Sequence, residues 1–245
     1  MITLLRNLLF YPVFYLGSLP IVLSGFLSLP VGQPAVRAAT HVWTAWHRWC
    51  VRWLLGIKVR VEGEMLDRPC IYAMKHESFF EAIDAPHLFR LPAPFAKSEL
   101  FAIPGWGRVA RAYGLVEVSR ADGAKALRRM IAEARNRSQA GRPLVIFPEG
   151  TRSPHDRRAP LQPGFLGIYK LLSLPVVPVS VDSGPLYQPG LKRSGTITYR
   201  FGEVIEPGLP RDEVERLVQE GINALGEQGL RPPAQSPTTL TSHDA

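Results

Sequence analysis

Between Arg6 and Arg37 the chain carries no charged residue. As one helix, the run from Asn7 to Val36 would be about 45 Å long at about 1.5 Å per residue. A bilayer's hydrocarbon core is roughly 30 Å thick. Pro12, Pro20 and Pro30 interrupt the run, and an interior proline removes a helical hydrogen bond and crowds the preceding turn. The sequence therefore predicts a broken or re-entrant helical pair turning near Leu19 and Pro20, or one tilted span with a frayed end. A cleaved leader is the alternative reading, although the run is long for one and Val36-Arg37-Ala38 makes a poor cleavage site.

The following segment holds Trp43, Trp46, Trp49 and Trp53 at steps of three, three and four. On a helix these fall on one side, with Arg37, Arg48 and Arg52 opposite. A tryptophan stripe opposed by arginines suits a membrane-anchoring helix lying in the interface. A core-packed amphipathic helix would show the same stripe. The apolar run directly before it favours the interface.

Charge supports a membrane surface. The formal net charge is +8. The first acidic residue is Glu62, and Arg6, Arg37, Arg48, Arg52, Lys58 and Arg60 precede it. A positive excess beside the most apolar segment fits an anionic membrane rather than nucleic acid. By the positive-inside rule the arginine-rich side faces the cytoplasm, at an inner membrane. The two cysteines, Cys50 and Cys70, match no zinc or thioredoxin spacing and make no disulfide framework. A reducing compartment is expected.

Hydrophobic residues make up 46% of the chain and charged residues 20%, which allows a sizeable core and excludes wholesale disorder. From Ile57 onward, short apolar strands alternate with helical stretches. Strands are expected at 58–62, 70–74, 93–97, 115–118, 144–147, 175–181 and 196–201. Helices are expected at 78–89, from an N-cap at Asp122 to about Arg137, at 164–172 and at 211–225. Pro104-Gly105 reads as turn chemistry. This alternation predicts an α/β fold with a central, mostly parallel or mixed sheet flanked by helices, behind an N-terminal hydrophobic helical membrane-anchoring motif. The expected organisation is an anchor over 1–56, an α/β domain over 57–230, and a disordered tail over 231–245 rich in Pro, Ser and Thr.

There is no G-x-S-x-G elbow, P-loop or G-x-G-x-x-G, which argues against common serine esterases and nucleotide-phosphate cradles. Lys75-His76-Glu77-Ser78-Phe79-Phe80-Glu81 falls between a predicted strand and helix. Positions 76 and 81 would not meet on one continuous helix. If His76 precedes the helix, Glu81 can take a hydrogen bond from one ring nitrogen and leave the other free as a base. The residues alone also allow a surface histidine beside an acidic helix. A metal site from His76, Glu77, Glu81, Asp84 and His87 is conceivable, but its liganding signature is incomplete. The second block is Phe147-Pro148-Glu149-Gly150-Thr151-Arg152-Ser153. Arg152 offers bidentate donors for a phosphate, Gly150 permits close backbone approach, and Glu149 could orient Arg152 or a substrate hydroxyl. An ordinary strand-end turn with an exposed ion pair is the plainer reading.

Histidine-x4-acid followed by Phe-Pro-Glu-Gly-Thr-Arg-Ser resembles the glycerolipid acyltransferases, bacterial 1-acyl-sn-glycerol-3-phosphate acyltransferases among them. Gly114 to Arg120 resembles the family's block ending in a phosphate-binding arginine, and Leu174 to Val179 its apolar block. The chain departs from the pattern at Glu81, where Asp is commoner, and at Lys75, where Asn is common. The resemblance implies transfer of a fatty acyl group from acyl-CoA or acyl-carrier protein to lysophosphatidic acid, with no further cofactor and no metal. His76 and Glu81 would be catalytic. Arg120, Glu149, Gly150, Thr151, Arg152 and Lys97 would bind the acceptor, and backbone N–H groups near Ser78 could hold the oxyanion. Two alternatives remain at this point: another lyso-lipid acceptor such as lyso-ornithine lipid, or a non-catalytic lipid-binding tether.

Overall fold

The structure, a computed structural model, describes residues 1–119 and 123–226. Arg120, the Asp122 cap and the tail over 231–245 lie outside the described residues. The chain opens with α1 (Ile2–Leu27) and α2 (Gln33–Cys50), the latter continuing as a wider π-helical turn over Val51–Leu55. Then come β1 (Ile57–Glu62), β2 (Ile71–Met74), α3 (Phe80–Leu88), β3 (Ala93–Lys97), α4 (Ser98–Phe101), α5 (Trp106–Tyr113) and β4 (Val116–Val118). α6 (Gly123–Gln139), β5 (Leu144–Ile146), α7 (Pro163–Leu172), β6 (Val176–Val181), β7 (Gly195–Phe201) and α8 (Arg211–Ile222) complete it.

The strands form one seven-stranded sheet in the order β1-β7-β6-β2-β5-β3-β4. Every pairing is parallel except β6 with β7. Side chains alternate across β2. Tyr72 and Met74 enter one core cluster, with Phe10, Phe14, Leu55 and Phe80, while Ile71 and Ala73 enter the other, with Ala134, Phe165, Val214 and Val218. The sheet is thus sandwiched between α1, α2 and α3 on one face and α6, α7 and α8 on the other, and β2 is buried on both sides as a central parallel strand should be.

The N-terminal segment shows three features, the first of which departs from expectation. α1 runs unbroken through Pro12 and Pro20, and the turn comes later, around Ser28 to Gly32. Both prolines, and the residues four before them, Leu8 and Leu16, are exposed. The missing hydrogen bonds therefore fall on the outer face, where a helix can curve without disturbing its packed side. Second, α1 packs into the body of the fold. Phe10 and Phe14 are 1% and 6% exposed within the sheet's own core cluster. Asn7 Nδ2 donates to the Lys192 carbonyl at 2.7 Å and its Oδ1 accepts the Lys192 N–H at 2.8 Å.

Third, the tryptophan stripe divides. Trp43 Nε1 donates to Ser18 Oγ at 3.1 Å and Trp46 Nε1 to the Phe14 carbonyl at 3.3 Å. Trp46 fits over Gly17, where a Cβ would lie 2.3 Å from its ring. These two tryptophans join α1 to α2. Trp49 and Trp53 remain exposed, at 46% and 68%. α1 is the one helix among the described residues long and apolar enough to cross a membrane, and its outer face exposes Leu4, Leu8, Leu16, Leu19 and Leu23.

Candidate active site

Ligands of open α/β sheets gather beyond the carboxyl ends of the strands, and the sequence-predicted residues lie there. His76 follows β2, Lys97 ends β3, and the Phe147–Ser153 block follows β5. α3 begins only at Phe80, so His76 precedes the helix and meets Glu81. His76 Nδ1 donates to Glu81 Oε1 at 2.9 Å, with the histidine side chain 17% exposed and the carboxylate fully buried. The imidazole stacks on Phe147, centroids 4.2 Å apart. Its Nε2 makes no hydrogen bond among the described residues.

Glu81 is densely held. Its Oε1 also accepts the N–H groups of Glu77 at 2.5 Å and Ser78 at 2.7 Å, at the start of α3 where a carboxylate is favoured by the helix dipole. Ser183 Oγ donates to Oε2 at 2.6 Å, and Ser78 Oγ lies 3.1 Å from the same oxygen. Those two backbone N–H groups are therefore committed to the carboxylate, and the expected oxyanion donors near Ser78 must be sought elsewhere. Ser183 was not legible in the sequence. Its position just after β6, on the same edge of the sheet, is the signal that could have found it.

The second block joins the first through its backbone, the Ser153 N–H donating to the His76 carbonyl at 2.7 Å. Arg152 is exposed and stacks over Phe79, 4.0 Å from the ring centre. Thr151 is exposed, and Gly150 has φ +69°, a left-handed turn that suits glycine. Lys97 is exposed two strands from His76 in the sheet.

Glu149 does something other than expected. It is 1% exposed, and Lys75 Nζ donates to its Oε1 at 2.7 Å. Lys75 also donates to the Arg157 carbonyl at 2.7 Å and to Asn223 Oδ1 at 2.8 Å. Glu149 is thus held inside the loop, its carboxylate paired with the ammonium group of Lys75. Lys75 fills the place where asparagine was expected and serves that purpose.

The five-residue metal reading does not survive the geometry. Asp84 is engaged bidentately by Arg48 at 2.7 and 2.6 Å and accepts Tyr199 Oη at 3.0 Å. Glu77 turns to His155 Nδ1 at 2.8 Å and the Gly184 N–H at 2.8 Å. Burial pushes the Glu77 carboxyl up from the usual range, and its hydrogen bond pushes His155 up. Among the described residues no group of three or more His, Cys, Asp or Glu is arranged to hold a metal ion. Cys50 and Cys70 are free thiols, buried and pushed up to about 11, which suits packing rather than reactivity.

A family profile described as Acyltransferase matches residues 58–182. Over 96% of its length the chain is 24% identical to the 1-acyl-sn-glycerol-3-phosphate acyltransferase of Pseudomonas aeruginosa, covering 90% of that protein. A Chlamydomonas reinhardtii protein of the same description is 28% identical, over 89% of this chain and 68% of that one. The crystal structure of the 1-acyl-sn-glycerophosphate (LPA) acyltransferase PlsC from Thermotoga maritima superposes with a TM-score of 0.66 at 24% identity, over 95% of this chain and 98% of that one. It establishes the shared fold.

Proposed function

The chain belongs to the acyltransferase family, and on that premise we propose that it acylates the sn-2 hydroxyl of lysophosphatidic acid to give phosphatidic acid, drawing the acyl group from acyl-CoA or acyl-carrier protein. The observation that carries this reading is His76, with Nδ1 fixed by a buried carboxylate and Nε2 without a hydrogen-bond partner among the described residues, on the same edge of the sheet as an exposed arginine.

A hydroxyl is a poor nucleophile at neutral pH. As its oxygen bonds to the thioester carbonyl carbon, His76 Nε2 takes the proton. Glu81 holds the ring and offsets the charge of the imidazolium. Collapse of the tetrahedral intermediate breaks the C–S bond, and the leaving thiolate receives that proton. Acylation needs no covalent acyl-enzyme and no metal in this scheme. Arg152, Thr151, Gly150 and Lys97 bind the acceptor's phosphate, with Arg120 a further candidate from the motif.

Acceptor and product are lipids, so the exposed face of α1, with Trp49 and Trp53, seats the enzyme on an anionic inner membrane with the α/β body in the cytoplasm. A tether would have no use for a held base. Mass spectrometry of purified protein supplied with lysophosphatidic acid, other lyso-lipids and either donor tests the reading. Phosphatidic acid formed by wild type and not by His76→Ala is the expected outcome. Acylation of a different lyso-lipid alone would overturn the acceptor, and equal turnover by both proteins would overturn the base.

A further inference from the structure

A second histidine–carboxylate pair stands beside the dyad, and the scheme above makes no use of it. Glu77 follows His76 in the chain, and its own N–H donates to Glu81 Oε1. Its side chain is nearly buried, 8% exposed as a residue. One carboxylate oxygen accepts from His155 Nδ1 and the other from the Gly184 N–H, both at 2.8 Å.

Two distant loops therefore grip the same short segment, each at two points. After β5, Ser153 holds the His76 carbonyl and His155 holds the Glu77 side chain. After β6, Ser183 holds the Glu81 carboxylate and Gly184 that of Glu77. A Cβ at Gly184 would lie 2.8 Å from Glu77 Oε2, so a larger residue there would have to displace that carboxylate.

The electrostatics give this clamp a second task. Glu77 and Glu81 are neighbouring buried carboxylates, and the charge of Glu81 disfavours ionisation of Glu77. The charged groups facing His155 are Glu77, Asp182 and Lys75, and those facing Glu77 are His155 and Glu81. Asp182 itself accepts the Thr198 N–H at 2.6 Å. His155 is thus the basic side chain hydrogen-bonded to Glu77. Without it, an ionised Glu77 would stand as a second uncompensated carboxylate beside the His76–Glu81 pair.

We propose that Glu77 and His155 are positioning residues for the acyl transfer. They fix the loop that carries His76, and the imidazolium of His155 neutralises Glu77 so that Glu81 alone sets the field at the base. The inference rests on His76 being that base.

The test is the pH dependence of kcat and KM for wild type, His155→Gln, Glu77→Gln and the double variant. His76→Ala serves as control, and a thermal melt is recorded for each protein. His155→Gln is expected to move the acid limb of kcat to higher pH by about one unit, the size of shift a nearby charge produces, with KM within about twofold. Adding Glu77→Gln should return the limb, because two amides keep the hydrogen bond and carry no charge. Glu77→Gln alone keeps the side-chain shape, so it remains informative if His155→Gln folds poorly. It should move the limb to lower pH. A uniform drop in kcat with the limb unmoved in every variant would overturn the electrostatic role, and unchanged kcat and profile would overturn the clamp altogether. In either case an inactive His76→Ala leaves the base assignment standing, whereas an active His76→Ala removes the reading beneath the clamp.

Discussion

The guanidinium of Arg152 lies over the ring of Phe79, 4.0 Å from its centre. Phe79 is 55% exposed, and it belongs to the loop of the proposed base whereas Arg152 belongs to the proposed phosphate loop. A cation–π contact at an exposed site contributes about 0.5–1 kcal/mol. Phe79→Ala should therefore raise the KM for lysophosphatidic acid about two- to fivefold and leave kcat nearly unchanged, with Tyr restoring the wild-type value. Arg152→Ala should raise KM by about tenfold or more, since it removes the charged donors themselves. Steady-state kinetics with varied acceptor would show this. An unchanged KM in Arg152→Ala would remove the arginine from the phosphate site.

The dyad predicts losses of a different kind. His76→Ala should lower kcat by about 10²- to 10⁴-fold, the usual contribution of a positioned base. Glu81→Gln presents an amide N–H₂ to groups that already donate, among them Ser78 N–H and Ser183 Oγ. It should lower kcat and also destabilise the fold by about 1–3 kcal/mol. Stability unchanged by Glu81→Gln, measured by chemical denaturation, would contradict the observed network.

Lys75 and Glu149 form a buried pair, with side chains 1% and 0% exposed. Removing one member of such a pair costs about 3–5 kcal/mol, because the other is left charged and buried. Lys75→Met should lower stability by about that much, and Lys75→Met with Glu149→Gln should recover a large part. Urea titrations of the three proteins would decide it. Equal losses in single and double variants would mean that the pair is not coupled.

The divided tryptophan stripe separates stability from membrane binding. Trp49→Ser with Trp53→Ser should weaken sedimentation with anionic liposomes and leave the thermal midpoint within a few degrees. Trp46→Ser should lower that midpoint, since large-to-small changes at packed positions destabilise by about 3–5 kcal/mol when burial is complete and less at a partly exposed ring. Undiminished liposome binding by the Trp49/Trp53 variant would shift the contact wholly onto α1.

His47 is fully buried against Phe14, Phe80 and Tyr187, and burial lowers it to about 3. The unfolded chain takes up this proton near pH 6.5, while the folded chain refuses it until about pH 3. Its contribution is therefore complete above about pH 6.5 and shrinks as pH falls, by about 1.4 kcal/mol per unit. Stability measured from pH 7 to 4.5 should show that slope, and His47→Phe should flatten it. Equal slopes in the two proteins would contradict a neutral buried imidazole.

The strands and the contact between His76 and Glu81 were readable because each leaves a local signal. Apolar runs such as 144–147 and 175–181 announced central strands, and α3 begins where the spacing of His76 and Glu81 required. Long-range relations left no such mark. Nothing near Lys75 in sequence says that Glu149, the Arg157 carbonyl and Asn223 converge on its ammonium group. The stripe from Trp43 to Trp53 fitted either a membrane or a partner helix, and the fold uses two rings for α1 while leaving two exposed. α4 and α5 were read only as turn chemistry around Pro104-Gly105, because both are short enough for that turn to dominate the local pattern.

The reciprocal bonds between Asn7 and Lys192 set an order of events during synthesis. The ribosome delivers α1 first, yet the segment that completes its seat, from Tyr187 to Lys192, comes only after six of the seven strands. Through most of translation, then, the helix has Trp43 and Trp46 for company but lacks its final contacts with the body. Such distant closure is slow, and over that interval the nascent chain keeps its most apolar surface available to a bilayer. Capture by lipid can thus precede completion of the catalytic domain.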